Sequence, residues 1–266
     1  MASYDGLSNA QISALRSLCQ LWPEVPVVLI GGVALAVSGK LSHRTTEDLD
    51  LVVAIPTAEV DSALVSLEGW EHSEDIPHRW HAPDGVRVDI LPVPLEALAS
   101  GRIHWPGGTS MSVRGFQHLE TRFATVQLGT NVRIRVADPT VLLFLKMVSY
   151  LERPADRLRD LKDVAHLLDH HGNDERLFAP ELVDLQIPED EAGAYLAGKD
   201  LGSLLDKVEA DIARRFTSRV LEYTEDGGFT QTKMTQLGPE GWQDDPDRVL
   251  RVMRAFRRGL ESPTVR

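Results

Sequence analysis

Val27-Val28-Leu29-Ile30-Gly31-Gly32-Val33-Ala34-Leu35-Ala36-Val37-Ser38-Gly39 holds three structural instructions in one stretch. The β-branched run predicts a short strand, the paired glycines a turn, and residues 33–38 a short helix closed by Gly39. Glycine at such a turn lets backbone approach a phosphate closely, and the amides opening the helix favour an anion. The next apolar run, Leu49-Asp50-Leu51-Val52-Val53, reads as a second strand with Asp48 and Asp50 at its entrance. Two residues apart on a strand, these carboxylates leave the same face with Cα atoms roughly 6.5 Å apart. Acids held so close repel, and a divalent cation such as Mg2+ or Mn2+, which takes oxygen ligands in near-octahedral geometry, would relieve the repulsion. By the same argument, removing one acid should ease the metal-free protein.

Further along, Asp84-Gly85 signals a hairpin joining residues 78–82 to the strand 86–91. Asp89 sits in the middle of that apolar strand, where a carboxylate is costly to bury unless paired or metal-bound. Its other reading is an outward-facing residue beside Arg87. Upstream, Ser8 and Gln11 resemble a capping box, and Ile12, Leu15, Leu18 and Cys19 recur at helical spacing. Val60, Ala63, Leu64 and Leu67 mark a helix ending near Gly69. Strands are expected at 123–128 and 132–136, joined by a turn at Gly129-Thr130-Asn131.

After that the pattern becomes helical. Asp138-Pro139 supplies an N-cap and an N1 proline for an apolar helix through Val141, Leu142, Leu145 and Val148. Arg153-Pro154 interrupts it, and a second helix runs from about 156 to 171. Lys146 breaks the apolar run of the first helix, so it either snorkels to solvent or meets an anion. Asp160 and Asp163 share a face of the second, readable as an exposed face paired with Arg157 and Lys162 or as part of a site. Only helical patterns follow, broken by polar residues between 224 and 245.

With 42% apolar residues among 266, the chain has material for a real core. A formal charge of −12 argues against a nonspecific nucleic-acid coat. Basic residues nonetheless cluster at Arg153, Arg157, Arg159 and Lys162, and at Arg251, Arg254, Arg257 and Arg258. One cysteine, Cys19, excludes an intramolecular disulfide, and neither a secretory leader nor an apolar run of spanning length is present, so a cytoplasmic protein without a membrane role is expected. His43, His78, His81, His166, His170 and His171 lack zinc-binding spacing. A nucleophile elbow of the G-x-S-x-G kind is also missing, which removes the support for a hydrolase triad.

Leu29 to Leu35, then Gly39, then His43-Arg44-Thr45-Thr46-Glu47-Asp48-Leu49-Asp50-Leu51-Val52 together resemble the DNA polymerase β-like nucleotidyltransferase superfamily. Within it the likeness is to the AbiEii/MenT-type toxin nucleotidyltransferases, whose lysine and Arg-x-Lys/Arg-Asp-x-x-Asp run are matched by Lys146 and Arg157-Leu158-Arg159-Asp160-Leu161-Lys162-Asp163. The resemblance covers about residues 27–170. It implies an α/β (α+β) fold, a mixed twisted sheet flanked by helices in a nucleotidyltransferase core at 1–137, followed by a helical C-terminal domain at 138–266. It implies transfer of a nucleoside monophosphate from a nucleoside triphosphate such as ATP to an acceptor hydroxyl, with tRNA as an acceptor and an antitoxin as a partner. Asp48 and Asp50 would hold Mg2+ or Mn2+, with Asp89 as a third ligand or as the base. Gly31, Gly32, Ser38, Arg44 and Thr46 would contact the nucleotide, Lys146 would hold phosphate, and Asp160 or Asp163 would complete the site. The competing readings are an antibiotic adenylyltransferase acting on aminoglycosides or lincosamides, and a catalytically inactive nucleotide-binding module.

Overall fold

The hydrophobic runs in the first half of the chain become strands, most of them in one sheet, or helices. The computed structural model describes residues 7–39, 46–105, 108–128, 132–222, 227–245 and 247–262, and the following statements concern these. The strands are β1 (Val27–Ile30), β2 (Leu49–Val53), β3 (Glu71–His72), β4 (Arg79–His81), β5 (Arg87–Pro92), β6 (Arg102–His104), β7 (Ser110–Ser112), β8 (Phe123–Leu128) and β9 (Val132–Ala137). Seven form a sheet in the order β3-β4-β5-β2-β1-β9-β8, and β6 pairs with β7 separately. β2 with β5 and β1 with β9 are parallel, while the other pairs are antiparallel, so the sheet is mixed as the sequence implies. Burial explains the order. The continuous apolar runs of β1, β2 and β5 lie inside, and the polar β3 and half-polar β8 take the edges.

Helices of this half are α1 (Asn9–Leu21), α2 (Gly31–Val37), α3 (Thr57–Val65) and α4 (Leu95–Ser100). The Ser8/Gln11 capping box forms in both directions, at 3.1 and 2.8 Å, and opens α1. α2 starts directly at Gly31, with no intervening turn residue, because Gly31 has φ +69° and reverses the chain by itself. The two-stranded β6/β7 hairpin and α4 have no counterpart in the sequence reading. Their segments are too short to show a period.

The chain divides into two compact units, Met1–Leu142 and Leu143–Arg266, and the division falls inside α5 (Pro139–Glu152). Asp138 Oδ1 accepts from the Thr140 amide at 2.8 Å, the cap expected of Asp138-Pro139. The second unit continues with α6 (Leu158–Asp169), α7 (Asp174–Leu177), α8 (Pro180–Asp184), α9 (Glu189–Leu204), α10 (Lys207–Leu221), α11 (Gly227–Leu237) and α12 (Arg248–Leu260). Its core holds Phe144, Tyr150, Phe216, Trp242 and Phe256, all at most 2% exposed. No helix among the described residues is long and apolar enough to cross a membrane.

Candidate active site

Strand register builds the acidic site. Asp50 on β2 lies directly opposite Asp89 on the parallel β5, and Asp89 lies opposite Arg79 on the antiparallel β4. Residues facing each other across a ladder project from the same face, so Arg79, Asp89 and Asp50 form one row across three strands. A second row runs beside it, from His81 to Arg87 in register. Asp48 joins that row one residue before β2 begins, with its Oδ1 2.7 Å from Arg87 Nε. Three acids and two guanidiniums thus share one face of the sheet.

The pairing is tightest at Asp89. Arg79 Nε donates to Asp89 Oδ1 at 2.7 Å and Arg79 Nη2 to Oδ2 at 2.8 Å, a two-pronged arrangement that uses both carboxylate oxygens. The side chains are 21% and 13% exposed, which strengthens the pair relative to one in open water. Asp89 is therefore buried and paired; it is not the outward-facing residue of the alternative reading. Its hydrogen bond holds the Arg79 guanidinium above its ordinary range against the opposing pull of burial, and the charges of Asp89, Asp48 and Asp50 add to that hold. Arg79 Nη2 also lies 3.9 Å from Asp48 Oδ2, and Arg87 Nη2 reaches Glu47 Oε2 at 3.3 Å. His78 Nε2 is 3.9 Å from Asp89 Oδ2, and its ring tilts against Trp105 with centroids 5.2 Å apart.

Gly31 fits this site for two separate reasons. Its positive φ disfavours any other residue, and a Cβ built there would overlap the Asp50 carboxylate. So Gly31 makes room for a site carboxylate. Gly32 is buried in the first turn of α2, and the Ser38 hydroxyl donates back to the Ala34 carbonyl at 2.7 Å. Thr46 is half-buried. Arg44, His43 and Thr45 lie outside the described residues, as does the turn at 129–131.

A second charged cluster lies in the other unit. Lys146 Nζ contacts Asp160 Oδ1 at 2.6 Å and Asp163 Oδ2 at 3.0 Å, and the Ser149 hydroxyl donates to Asp160 Oδ2 at 2.7 Å. Asp163 is fully buried and Asp160 nearly so, so neither belongs to an exposed face shared with Arg157 and Lys162. Lys146 does not snorkel to solvent. Burial pulls its ammonium down, but the two aspartates outweigh burial and hold it above the usual lysine range. Lys146 is thus a cation gripped by two acids inside the second unit.

Of the two basic clusters, Arg153, Arg157 and Arg159 are exposed, as are Arg254, Arg257 and Arg258, while three of the C-terminal arginines also contact groups within the chain. Arg251 pairs with Asp245 at 2.6 Å, Arg257 with Glu261 at 2.9 Å, and Arg258 Nη2 donates to the Leu185 carbonyl at 2.7 Å. Sequence reasoning missed Arg79, Arg87 and Ser149 as site components. The signal for Arg79 was the alternation Arg79-Trp80-His81, with Trp80 alone turned to the core.

The acidic face has the chemistry to receive a hard cation. Asp48, Asp50 and Asp89 offer only carboxylate oxygens, the donor type that Mg2+ and Mn2+ take. As the side chains stand, no group of three or more His, Cys, Asp or Glu residues among those described is gathered closely enough to hold a metal ion. At Asp89 both oxygens are engaged by Arg79.

A family model described as "Nucleotidyl transferase AbiEii toxin, Type IV TA system" matches residues 15–251. The crystal structure of an antigenic nucleotidyltransferase-like protein from Paracoccidioides brasiliensis is similar at 19% sequence identity and a TM-score of 0.44, over 74% of this chain and 93% of that one. No curated protein matches the chain.

Proposed function

Because this chain belongs to the AbiEii nucleotidyltransferase toxin family, we propose that it transfers a nucleoside monophosphate from a nucleoside triphosphate to an acceptor hydroxyl, with Asp48, Asp50 and Asp89 as the metal-binding carboxylates. The observation that carries this reading is the register placing Asp50 opposite Asp89 with Asp48 alongside. A bound Mg2+ or Mn2+ would supply charge stabilisation at the phosphoryl group and lower the pKa of the attacking hydroxyl. The chain's own residues then have distinct tasks. Asp48 and Asp50 give carboxylate oxygens from the start of β2, a rigid central strand. Asp89 either joins them or accepts the proton of the acceptor hydroxyl as it attacks the α-phosphate and pyrophosphate departs. Gly31 leaves the space that Asp50 needs.

The acceptor we propose is tRNA, supported by the family's toxin character and by the exposed Arg153, Arg157 and Arg159. A toxin of a type IV system also calls for a cognate antitoxin. The test is incubation of the full chain with each α-labelled nucleoside triphosphate, Mg2+, total tRNA, and a panel of aminoglycosides and lincosamides. Label on RNA is expected, falling steeply with added salt. Asp48→Asn and Asp50→Asn are expected to lower it by about 100-fold or more while remaining folded. Label on an antibiotic and none on RNA would overturn the acceptor. Full transfer by either variant would overturn the carboxylate assignment.

A further inference from the structure

The reaction just proposed needs the carboxylates but gives no task to the guanidinium that grips one of them. Arg79 is set opposite Asp89 by the ladder, spends two donors on its two oxygens, and stands 3.9 Å from Asp48 as well. We infer that Arg79 is a positioning residue that exchanges partners: it holds Asp89 while the carboxylates lack a divalent cation, and it passes to the phosphates of the incoming triphosphate when the cation takes Asp89. The inference rests on the metal-carboxylate reading of Asp48, Asp50 and Asp89.

Charge and shape both favour the exchange. With both oxygens engaged, Asp89 has little to offer a cation until Arg79 lets go. Arg79 and Arg87 already compensate much of the negative charge on this face, so a dication arriving alone is opposed by two fixed positive charges. A triphosphate arriving with it reverses that balance. A guanidinium fork that fits a carboxylate through two parallel N–H groups fits a phosphate in the same way, so the released side chain has a matched partner. Arg87 is the weaker candidate. It is 42% exposed and shared between Asp48 and Glu47, whereas Arg79 is 21% exposed and aligned on one acid.

The consequence is that metal and triphosphate bind together more readily than metal alone. The test is isothermal titration of the full chain with Mn2+ alone, then with a non-hydrolysable triphosphate in saturating Mn2+. Arg79→Gln is expected to bind Mn2+ alone about tenfold more tightly than wild type, and the triphosphate about tenfold more weakly. Arg79→Lys keeps the charge without the fork, and it is expected to fall between the two in both titrations; it serves as the reporter should Arg79→Gln fold poorly. Equal or weaker Mn2+ binding in both variants, with wild-type binding abolished by Asp50→Asn, would overturn the exchange and leave the metal site standing. An unchanged triphosphate affinity in both variants would overturn the phosphate half of the exchange. Mn2+ binding that Asp50→Asn leaves intact, or none in any form, would overturn the carboxylate reading and this inference with it.

Discussion

At the residue scale, the site is a set of charges whose partners determine what each is worth. Spacing alone makes Asp48 and Asp50 a repulsive pair that loss of one acid should ease, but Asp48 is paired with Arg87. Removing its charge therefore strands a guanidinium, and the relief is offset. Lys146 shows the same logic more strongly. A snorkelling lysine can be truncated at little cost, whereas Lys146 balances the buried Asp160 and Asp163. Lys146→Ala leaves buried carboxylates without a cation and is expected to cost about 3–5 kcal/mol in stability. Urea unfolding of the variant measures this, and adding Asp160→Asn and Asp163→Asn to it should recover part of the loss. A midpoint unchanged from wild type would mean that Lys146 is not the balancing charge.

At the scale of elements, glycine positions set how closely backbones approach. Gly198 on α9 and Gly259 on α12 each face the other helix's backbone, where a Cβ would overlap the Phe256 and Tyr195 carbonyls respectively. At Gly202 a Cβ would lie 2.7 Å from the Leu260 carbonyl oxygen. Backbone has no rotamer to swing aside, so the helices must part. Gly198→Ala is expected to destabilise the protein by about 1–3 kcal/mol despite alanine's better helix propensity. Gly228→Ala is the control, since a Cβ there meets nothing within 4 Å. Thermal melting of the two variants separates packing from propensity: equal midpoints would refute the close crossing.

Across the whole molecule, the ionisable groups bound the pH range of stability from both sides. Burial pushes the Asp200 carboxyl up, but hydrogen bonds from His171 and Arg176 outweigh it and hold Asp200 well below the usual carboxylate range. A group depressed in the folded state contributes stability that is complete above its unfolded pKa, about 3.9, and is lost as pH falls toward the folded value. Lys146, raised in the folded state, contributes stability present below about pH 10.4 and lost as pH rises through its folded value. Asp200→Asn is expected to lower the melting temperature at pH 6 and to converge on wild type as pH drops below about 4. Parallel curves across that range would deny Asp200 the assigned role.

Local sequence determined most of the elements. The Ser8 cap, the β1–Gly31–α2 unit, the Asp138-Pro139 helix start and the acids at the head of β2 follow from periodicity, capping chemistry and glycine's access to positive φ. Those are interactions within a few residues, and the chain carries them wherever it goes. What tertiary structure decided was which charges meet. A two-residue Asp84-Gly85 turn would set Arg79 opposite Ile90, and since side chains alternate faces, that single step would turn Arg79 away from the acids. The loop instead includes Pro83, closes with the Ala82 amide donating to the Val86 carbonyl at 2.9 Å, and sets Arg79 opposite Asp89. Lys146 was equally undecided from its own helix, because its burial depends on α6 bringing Asp160 and Asp163 to it. Turns, caps and periods are short-range and readable, whereas a charge's partner comes from another element, and only the folded chain brings it within reach.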